Sequence, residues 1–269
     1  MTAGPQQDIT SRDPVRSIPN PGWKRAALGL ALPLVLLGLW QFVTSAGMYS
    51  PSQLPPPADV AATVGELTGR GELWSHLAIS VQREIIGYAV GATVALALGA
   101  LVGISGTVRN VLAPTVEAFR TVPSLAWVPL LLLWLGIGEQ PKIVLVAIGA
   151  FFPVYTTTAS ALSHVDPHLI EVGRAYGLRG PALLVRIMFP ASAPAVLNGL
   201  RLGLVNGWLF LVAAELIASS KGLGFLLIDS QNTGRTDVML LAIVLLAVLG
   251  KASDFFFGVV ERKVVARRA

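Results

Sequence analysis

Residues 171–190 read EVGRAYGLRGPALLVRIMFP, a basic stretch with two short helical patterns that lies between two long apolar segments. The rest of the chain is strongly apolar: 54% of the 269 residues are hydrophobic, 13% are charged, and the mean hydropathy is +0.67. A water-soluble domain carries about 25% charged residues, so a soluble surface cannot be built from this supply. The composition predicts an integral membrane protein in which residues 171–190 form an organised docking surface.

Six segments of the chain are candidates to cross the bilayer, which takes about 20 mostly apolar residues of helix. The third is short and contains Pro123 and Pro129, so either a kinked helix that begins near Pro114 or a partly re-entrant segment fits it. The fold class predicted is an all-α polytopic membrane protein with about six transmembrane helices. The candidate segments are residues 26–46, 85–104, 123–137, 142–162, 193–218 and 238–260.

These spans divide the chain into three regions. Residues 1–25 are polar and contain four prolines, which fits a cytoplasmic tail better than a cleaved signal peptide. Residues 26–46 form the first predicted transmembrane helix. Residues 54–262 form the core of the protein, which includes a helical loop at residues 164–190.

The positions of Lys and Arg predict the orientation, because cytoplasmic loops carry an excess of these residues. With the N-terminus inside, 13 of the 20 Lys and Arg residues fall on the cytoplasmic side, four fall in outer segments, and three lie near or within helix ends. We therefore expect both termini and the loop 164–190 to be cytoplasmic. The 13 residues are Arg12, Arg16, Lys24, Arg25, Arg109, Arg120, Arg174, Arg179, Arg186, Arg262, Lys263, Arg267 and Arg268.

The loop 164–190 carries the signals of a compact helix–turn–helix. Asp166 and Pro167 favour a helix start, since Asp caps free backbone N–H groups and Pro suits the first turn. This helix is predicted to stop at Gly177, which tolerates a left-handed backbone. A second short helix is predicted to open at Gly180-Pro181 and to end before Pro190.

The first helix of the loop is predicted to have an apolar stripe and a charged remainder. Such a surface suits insertion into a groove on a partner, although an ordinary basic loop that follows the positive-inside rule would carry the same charges. The stripe is Leu169, Val172 and Tyr176, and the polar residues elsewhere are His168, Glu171 and Arg174.

The spacing of Glu171, Gly177, Ile187 and Pro190 resembles the EAA loop of ABC-importer permeases, whose pattern is E-A-A-x3-G-x9-I-x-L-P. Every interval matches, while Val172-Gly173 replaces the two alanines and Phe189 replaces the leucine. Four further blocks look like the nitrate/sulfonate/taurine branch of these permeases, so the resemblance covers about residues 54–262. The blocks are LPPPADV (54–60), FRTVPSLAWVPLLLLWLGIGEQPKI (119–143), GAFFPVYTTT (149–158) and NGWLFLVAAELIASSKGLG (206–224).

This resemblance implies a transport subunit of the cell membrane that imports a small solute and is not itself an enzyme. Similar permeases form homodimers, bind two copies of a cytoplasmic ATPase through their loops, and receive solute from an extracellular or periplasmic substrate-binding protein. Small organic sulfonates and nitrate-like anions are typical of the branch, and similar relatives move neutral or heteroaromatic metabolites. The resemblance assigns ATPase coupling to Glu171, Arg174, Gly177, Arg179, Ile187 and Pro190, of which the arginines are equally explained as topology signals.

The chain contains no G-x-x-x-x-G-K-[ST] phosphate loop, since Gly250-Lys251 is followed by Ala252. We therefore expect ATP hydrolysis on a separate subunit. No catalytic constellation, metal site, cofactor or nucleic-acid partner is predicted. The alternative function is a stand-alone secondary carrier driven by an ion gradient, but such carriers commonly show a repeated half with broken helices, and the sequence has no clear internal repeat.

A few side chains are candidates for the translocation path. Glu215 lies within the fifth span, where ionisable residues usually face protein or water, and it is equally close to the outer end, where it can simply reach water. An anionic solute there would require a basic partner, and Arg201 is too far along the same helix. Arg120 can pair with Glu117 and act either on anions in the pore or as a cytoplasmic anchor. Trp127, Phe151 and Phe152 are candidate residues of a cavity or of ordinary packing.

Overall fold

The computed structural model describes residues 22–266, without the side chains of residues 22–28, Ser124 and 264–266. Residues 1–21, which make up most of the predicted polar tail, lie outside the described part, as do Arg267 and Arg268. The chain divides into two compact units, one ending at Tyr49 and one beginning at Ser50. The first unit is described as a single helix, α1 (Gly22–Ser45), which contains Pro33 and exposes its leucines from Leu30 onward.

The second unit is helical throughout its regular structure. A 3₁₀ turn, Ser124–Ala126, precedes α5, and a π-type turn, Leu184–Met188, joins α8 to α9. The helices are α2 (Pro57–Gly69), α3 (Glu72–Ile104), α4 (Gly106–Thr121), α5 (Trp127–Leu135), α6 (Glu139–Ser163), α7 (Pro167–Ala175), α8 (Gly180–Leu183), α9 (Phe189–Ala218), α10 (Leu223–Thr233) and α11 (Thr236–Ala266).

The predicted all-α polytopic membrane fold is confirmed. Within residues 22–266, four helical stretches are long and apolar enough to cross a membrane, and the described apolar part of α1 is shorter, at Gly29–Ser45. The four stretches are Glu72–Ile104, Glu139–Ser163, Gly180–Ala218 and Thr236–Lys263.

The third predicted span is a broken helix. The predicted residues, 123–137, cover the 3₁₀ turn and α5, whereas α4 before them begins at Gly106, well before Pro114, and ends at Thr121 just before Pro123. The nine residues of α5 extend only about 14 Å at 1.5 Å per residue, less than the hydrocarbon thickness of about 30 Å. Pro123 lies at the break between α4 and α5, so this segment consists of two separate helices and not of one kinked helix.

Small residues allow α3, α6 and α9 to pack closely at the centre of the second unit. Gly91 of α3 approaches the backbone of α6 so closely that a Cβ there would lie 2.3 Å from the Ala147 carbonyl oxygen. Gly87 faces Val146 and Gly103 faces Leu162, so α3 and α6 run in the same direction. Close approach through glycine is a common way for membrane helices to associate.

The direction of α9 is opposite to that of α6. Gly203 lies against Ala150 and Val154, whereas Gly199, earlier in α9, lies against Thr157, later in α6. This alternation places the loop 164–190 at the end of the bundle where α3 and α6 finish. The loops that begin α6 and follow α9 lie at the other end.

Candidate functional site

The first helix of the loop 164–190 forms as predicted. The Asp166 side chain accepts a hydrogen bond from the His168 backbone N–H at 2.9 Å, and Pro167 is the first residue of α7. The helix ends at Ala175, and Gly177 follows with φ +80°. That backbone conformation is one that side chains other than glycine rarely adopt, which explains the glycine in the turn.

The prediction that the second helix ends before Pro190 is wrong. Residues 180–218 are helical without a break, because the π-type turn Leu184–Met188 leads directly into α9. Pro190 is tolerated since it stands in the first turn of α9, where the wider π turn has already disturbed the regular hydrogen-bond pattern. The second half of the loop is therefore rigidly continuous with a membrane-spanning helix.

A buried cluster holds the loop against the ends of α3 and α6. Leu183 and Met188 of the loop are buried together with Ala100 of α3 and Leu162 of α6, and Ile187 packs on the same cluster. The loop is therefore in direct contact with the ends of α3 and α6 and is continuous with α9.

Gly173 has a packing reason that the sequence did not reveal. It is buried, and a Cβ at this position would lie 2.6 Å from Leu183 Cδ1 and 3.1 Å from Ile187 Cγ1. The large side chain of Leu183 fills the space that a side chain at residue 173 would take. The glycine that replaces the second alanine of the family pattern is thus accommodated by the larger Leu183 of the same loop.

The outer face of the loop exposes the predicted apolar stripe. Leu169, Val172 and Tyr176 are 45%, 53% and 84% exposed. Exposed apolar side chains on an anchored, ordered loop are typical of a surface that another protein covers. The three residues form an exposed stripe on α7 and its end, beside the buried Gly173.

Charged residues surround this stripe. Glu171 has a 73% exposed side chain, and one of its carboxylate oxygens lies 4.0 Å from His168 Nδ1. Within the described part of the chain, Arg174, Arg179 and Arg186 form no ion pair, and all three are exposed. The loop therefore exposes three guanidinium groups without ion pairs and one carboxylate in addition to its apolar stripe.

At the opposite end of the bundle, Glu215 is fully buried and bonded to Arg83. The Arg83 Nη1 atom lies 2.7 Å from Glu215 Oε1, with the two side chains 4% and 0% exposed. Ser80 Oγ donates to both Glu215 oxygens at 2.9 Å, and the Gly224 backbone N–H donates to Oε2 at 2.8 Å. The carboxylate is thus enclosed by protein, which favours a structural role, and its role in the translocation path stays a prediction.

Arg83 also links Glu215 to the start of α6. It donates through Nε and Nη2 to the two oxygens of Glu139, at 2.6 and 2.7 Å, and through Nη1 to the Lys221 carbonyl oxygen at 2.7 Å. Sequence reasoning missed this partner because Arg83 precedes Glu215 by 132 residues. Arg201, the residue judged too distant, instead donates to both carboxylate oxygens of Asp254.

One of the five candidate path residues, Arg120, lines a cleft between α4 and α6. Tyr155, which was not a candidate, lines the same cleft, and its ring stacks on Phe151 with centroids 5.6 Å apart. Phe152 packs edge-on against Phe151, and Trp127 lies against Phe119 instead. Glu215 does not line the cleft, whose volume is about 330 Å³.

No group of three or more His, Asp or Glu side chains in the described residues is placed to hold a metal ion.

Together, the apolar helical bundle and the anchored loop 164–190 define a multi-pass membrane protein. Residues 87–266 match the family described as binding-protein-dependent transport system inner membrane component. The chain belongs to this family, the permease subunits of ABC importers, and is therefore a multi-pass cell-membrane protein.

Several curated relatives match nearly the whole chain. The putative aliphatic sulfonates transport permease protein SsuC of Bacillus subtilis is 38% identical over 262 residues, which is 96% of this chain and 94% of the relative. The taurine transport system permease protein TauC of Escherichia coli is 33% identical, with 89% of each chain covered. The nitrate import permease protein NrtB of Synechocystis is 30% identical, with 94% of each chain covered.

A solved structure shares the fold. The chain aligns with a subunit of the MetNI methionine ABC transporter in an inward-facing conformation, with a TM-score of 0.59 and 25% identity. The alignment covers 74% of this chain and 96% of the transporter subunit. The predicted resemblance to the sulfonate, taurine and nitrate branch of ABC-importer permeases is confirmed by these matches.

Proposed function

We propose that this chain is the membrane half of an ABC importer that moves a small sulfonate- or nitrate-like anion into the cell. In this proposal two copies of the chain form a homodimer, two copies of a separate ATPase bind to the loops 164–190, and a substrate-binding protein delivers solute from outside. The names of the relatives support the solute class. The family supports the ATPase and the binding protein as partners.

The main support for the proposal is that the loop 164–190 is anchored on one face and exposes apolar side chains on another. Its apolar stripe is exposed, whereas its inner face is buried against the ends of α3 and α6. An exposed stripe bordered by unpaired arginines suits a groove with apolar walls and acidic margins on a partner. The proposal places both termini in the cytoplasm, as the excess of Lys and Arg on that side predicts.

Coupling follows from the continuity of the loop with α9. Closing of the ATPase dimer by ATP pulls the two loops together, and α9 moves with its loop because residues 180–218 form one helical rod. ATP thereby favours one of two arrangements of the bundle, as any ligand does that binds one state better than another. The ends of α3 and α6 follow through Leu183, Ala100 and Leu162.

The test is co-purification of the detergent-solubilised chain with the ATPase encoded beside it. Tyr176→Ala removes the most exposed aromatic ring of the stripe, and we expect it to reduce the recovered ATPase at least about tenfold, as the loss of a hot-spot residue does. Trp74→Ala is the matched control, since Trp74 is 60% exposed at the other end of the bundle. Glu171→Ala and Gly177→Val are expected to weaken recovery while the chain remains inserted.

Two results would overturn the proposal. One is full ATPase recovery and normal uptake with Glu171→Ala and Gly177→Val present together. The other is solute uptake by the chain alone in liposomes driven by an ion gradient, which would instead establish the secondary carrier.

A further inference from the structure

A charged pocket lies on the surface of the bundle, lined by α11 and by Arg201 of α9, with a volume of about 740 Å³. The Trp208 indole N–H of α9 donates to Ser253 Oγ of α11 at 3.1 Å. Arg201, earlier in α9, instead reaches Glu261, later in α11, at 3.7 Å. The two helices therefore run antiparallel, and the last turns of α11 lie beside the start of α9, which is continuous with the loop 164–190.

Arg201 is held flat against α11 by groups that neutralise its charge. Its guanidinium lies over Gly258, where an added Cβ would be 3.9 Å from each of Cζ, Nη1 and Nη2. It donates to both carboxylate oxygens of Asp254, about one turn before Gly258. Its Nη1 also lies 3.7 Å from Glu261 Oε2, about one turn after Gly258. Both carboxylates of the pocket are therefore engaged by Arg201.

Lys251 and Arg262 add positive charge that the described residues do not balance. Lys251 has a 79% exposed side chain, and its ion pair is a 3.3 Å contact with Asp254, which already accepts two hydrogen bonds from Arg201. Arg262 is exposed and forms no ion pair among the described side chains. Three basic and two acidic side chains line the pocket, so it carries an excess of positive charge that attracts an anion.

The pocket extends across the level at which the hydrocarbon of a bilayer ends. After Asp237, α11 carries no charge until Lys251. At 1.5 Å per residue, Lys251 lies about 20 Å along the helix from Val238, within the hydrocarbon thickness of about 30 Å. Arg262 lies about 36 Å from Val238 and is beyond it. Because a lysine at such a depth extends its ammonium group to the nearer headgroup region, the Lys251 side chain reaches toward the level of Arg262.

We propose that this pocket binds the headgroup phosphate of an anionic phospholipid, in the leaflet on the side of the loop 164–190, with the phosphate between Lys251 and Arg262. These two residues are about 17 Å apart along the helix, a gap that two long basic side chains and one phosphate span. Phe255 lines the pocket and, like Phe256 beside it, is exposed. The two rings offer an apolar surface to the glycerol and acyl chains. Basic pockets between membrane-spanning helices are suited to anionic headgroups.

An anionic lipid fits the pocket better than a second copy of this chain. The orientation predicted from the sequence places 13 of the 20 Lys and Arg residues on the side of the loop, so a second copy would bring like charge. The cytoplasmic leaflet, by contrast, contains anionic lipids. The inference rests on the proposed function only for the assignment of that side as cytoplasmic, and it is independent of the transported solute.

The experiment is native mass spectrometry of the purified full-length chain in detergent, with phosphatidylglycerol or phosphatidylcholine added at equal concentrations. We expect phosphatidylglycerol to bind at least about tenfold more tightly, because two basic residues act on its headgroup. Lys251→Gln and Arg262→Gln should each weaken the binding of phosphatidylglycerol about fivefold and leave that of phosphatidylcholine unchanged. Both side chains are exposed, so the Tm without added lipid should not change.

Lys263→Gln is the matched control, because Lys263 is exposed at the next position of α11 and does not line the pocket. It removes the same charge at nearly the same depth, and the binding of phosphatidylglycerol should be unchanged. Equal binding of the two lipids would overturn the inference, as would an effect of Lys263→Gln as large as that of Arg262→Gln. Displacement of phosphatidylglycerol by an equal concentration of inorganic phosphate would instead assign the pocket to a soluble anion. Binding by the monomer but not by the dimer would assign it to a second copy.

ATPase co-purification on the same preparation separates this inference from the proposed function. A chain that recovers its ATPase but binds both lipids equally overturns the lipid site alone. A chain that selects phosphatidylglycerol, loses that selectivity with Arg262→Gln and recovers no ATPase overturns the proposed function alone.

Discussion

Arg83 and Glu215 form an ion pair enclosed by protein at the end of the bundle opposite to the loop 164–190. The Nη1 and Oε1 atoms are 2.7 Å apart, and the side chains are 4% and 0% exposed. Ser80 and the Gly224 backbone N–H satisfy the remaining oxygen sites of the carboxylate. The pair joins α3 to the end of α9, while the contacts of Arg83 with Glu139 add the start of α6.

Breaking this pair from one side is predicted to destabilise the protein strongly. Arg83→Ala leaves the Glu215 carboxylate buried without a countercharge, and loss of one partner of a buried pair typically costs about 3–5 kcal/mol. The measurement is thermal unfolding of the purified chain in detergent, where a large fall in Tm is expected. Arg70→Ala is the control, since the Arg70–Glu66 pair is 2.7 Å long but 56% and 35% exposed, and exposed pairs contribute about 0–1 kcal/mol. Equal changes in Tm for the two variants would contradict the structural role assigned to Arg83.

The second prediction concerns the close packing of α3 against α6 at Gly91. A Cβ at Gly91 would lie 2.3 Å from the Ala147 carbonyl oxygen and 2.8 Å from Ala147 Cα, which are backbone atoms that cannot rotate away. Gly91→Ala must therefore separate the two helices, and overpacking of this kind costs about 1–3 kcal/mol or more.

Gly250→Ala is the matched control for that change. Gly250 lies in a membrane-spanning helix, α11, with nothing within 4 Å of an added Cβ. Its replacement is expected to leave Tm unchanged or slightly raised, because alanine favours a helix over glycine by about 1 kcal/mol. A fall in Tm for Gly250→Ala as large as for Gly91→Ala would show that close packing is not the cause.

Local sequence signals were sufficient to predict the first helix and the turn of the loop 164–190. Contacts between residues far apart in the chain could not be predicted from the sequence. Asp166 and Gly177 act on backbone groups within a few residues, so their residue types predict the helix start and the turn. Pro190 misled the prediction because the π-type turn before it depends on packing against α3 and α6. The Arg83–Glu215 pair joins residues far apart in the chain, and periodicity carries no information about such a contact.

In the third predicted span, too, the sequence predicted the local break but not the distant contacts. Pro123 and Pro129 predicted an interruption, and α4 and α5 are indeed separate helices. The face of α4 that turns toward α6 could not be read from the sequence. The cleft that contains Arg120 and Tyr155 therefore became evident only from the structure.

Gly177 gives a prediction that concerns the loop alone. Its φ of +80° is strained for any residue with a Cβ, although nothing lies within 4 Å of an added Cβ. Gly177→Ala is expected to destabilise the turn by about 1–2 kcal/mol, and Gly177→Asn by less, since asparagine tolerates this region better. Hydrogen–deuterium exchange of residues 167–190 in nanodiscs measures the effect. Exchange is expected to be faster in Gly177→Asn than in the wild type, and fastest in Gly177→Ala. Equal exchange in both variants and the wild type would contradict a conformational role for this glycine.

The last prediction concerns pH and the contacts between α2 and the start of α11. Glu66 accepts hydrogen bonds from Arg235 Nη1 and Nη2 at 3.1 and 2.8 Å, and Arg70 lies 2.7 Å away on the same helix. The hydrogen bond from Arg235 lowers the pKa of Glu66 from its ordinary value of 4.5, and the carboxylates of Asp237 and Glu66 raise the pKa of Arg235.

A carboxyl group whose pKa is lower in the folded state stabilises the fold fully above its ordinary pKa and loses that contribution as the pH falls through the folded value. The Tm difference between wild type and Glu66→Gln should therefore be constant from neutral pH down to about pH 5 and should shrink as the pH falls below the ordinary pKa of 4.5. Glu171→Gln, on the exposed loop, serves as the control with no expected Tm difference, and a Glu66→Gln difference that persists undiminished at about pH 3 would show that the Arg235 contact is not its source.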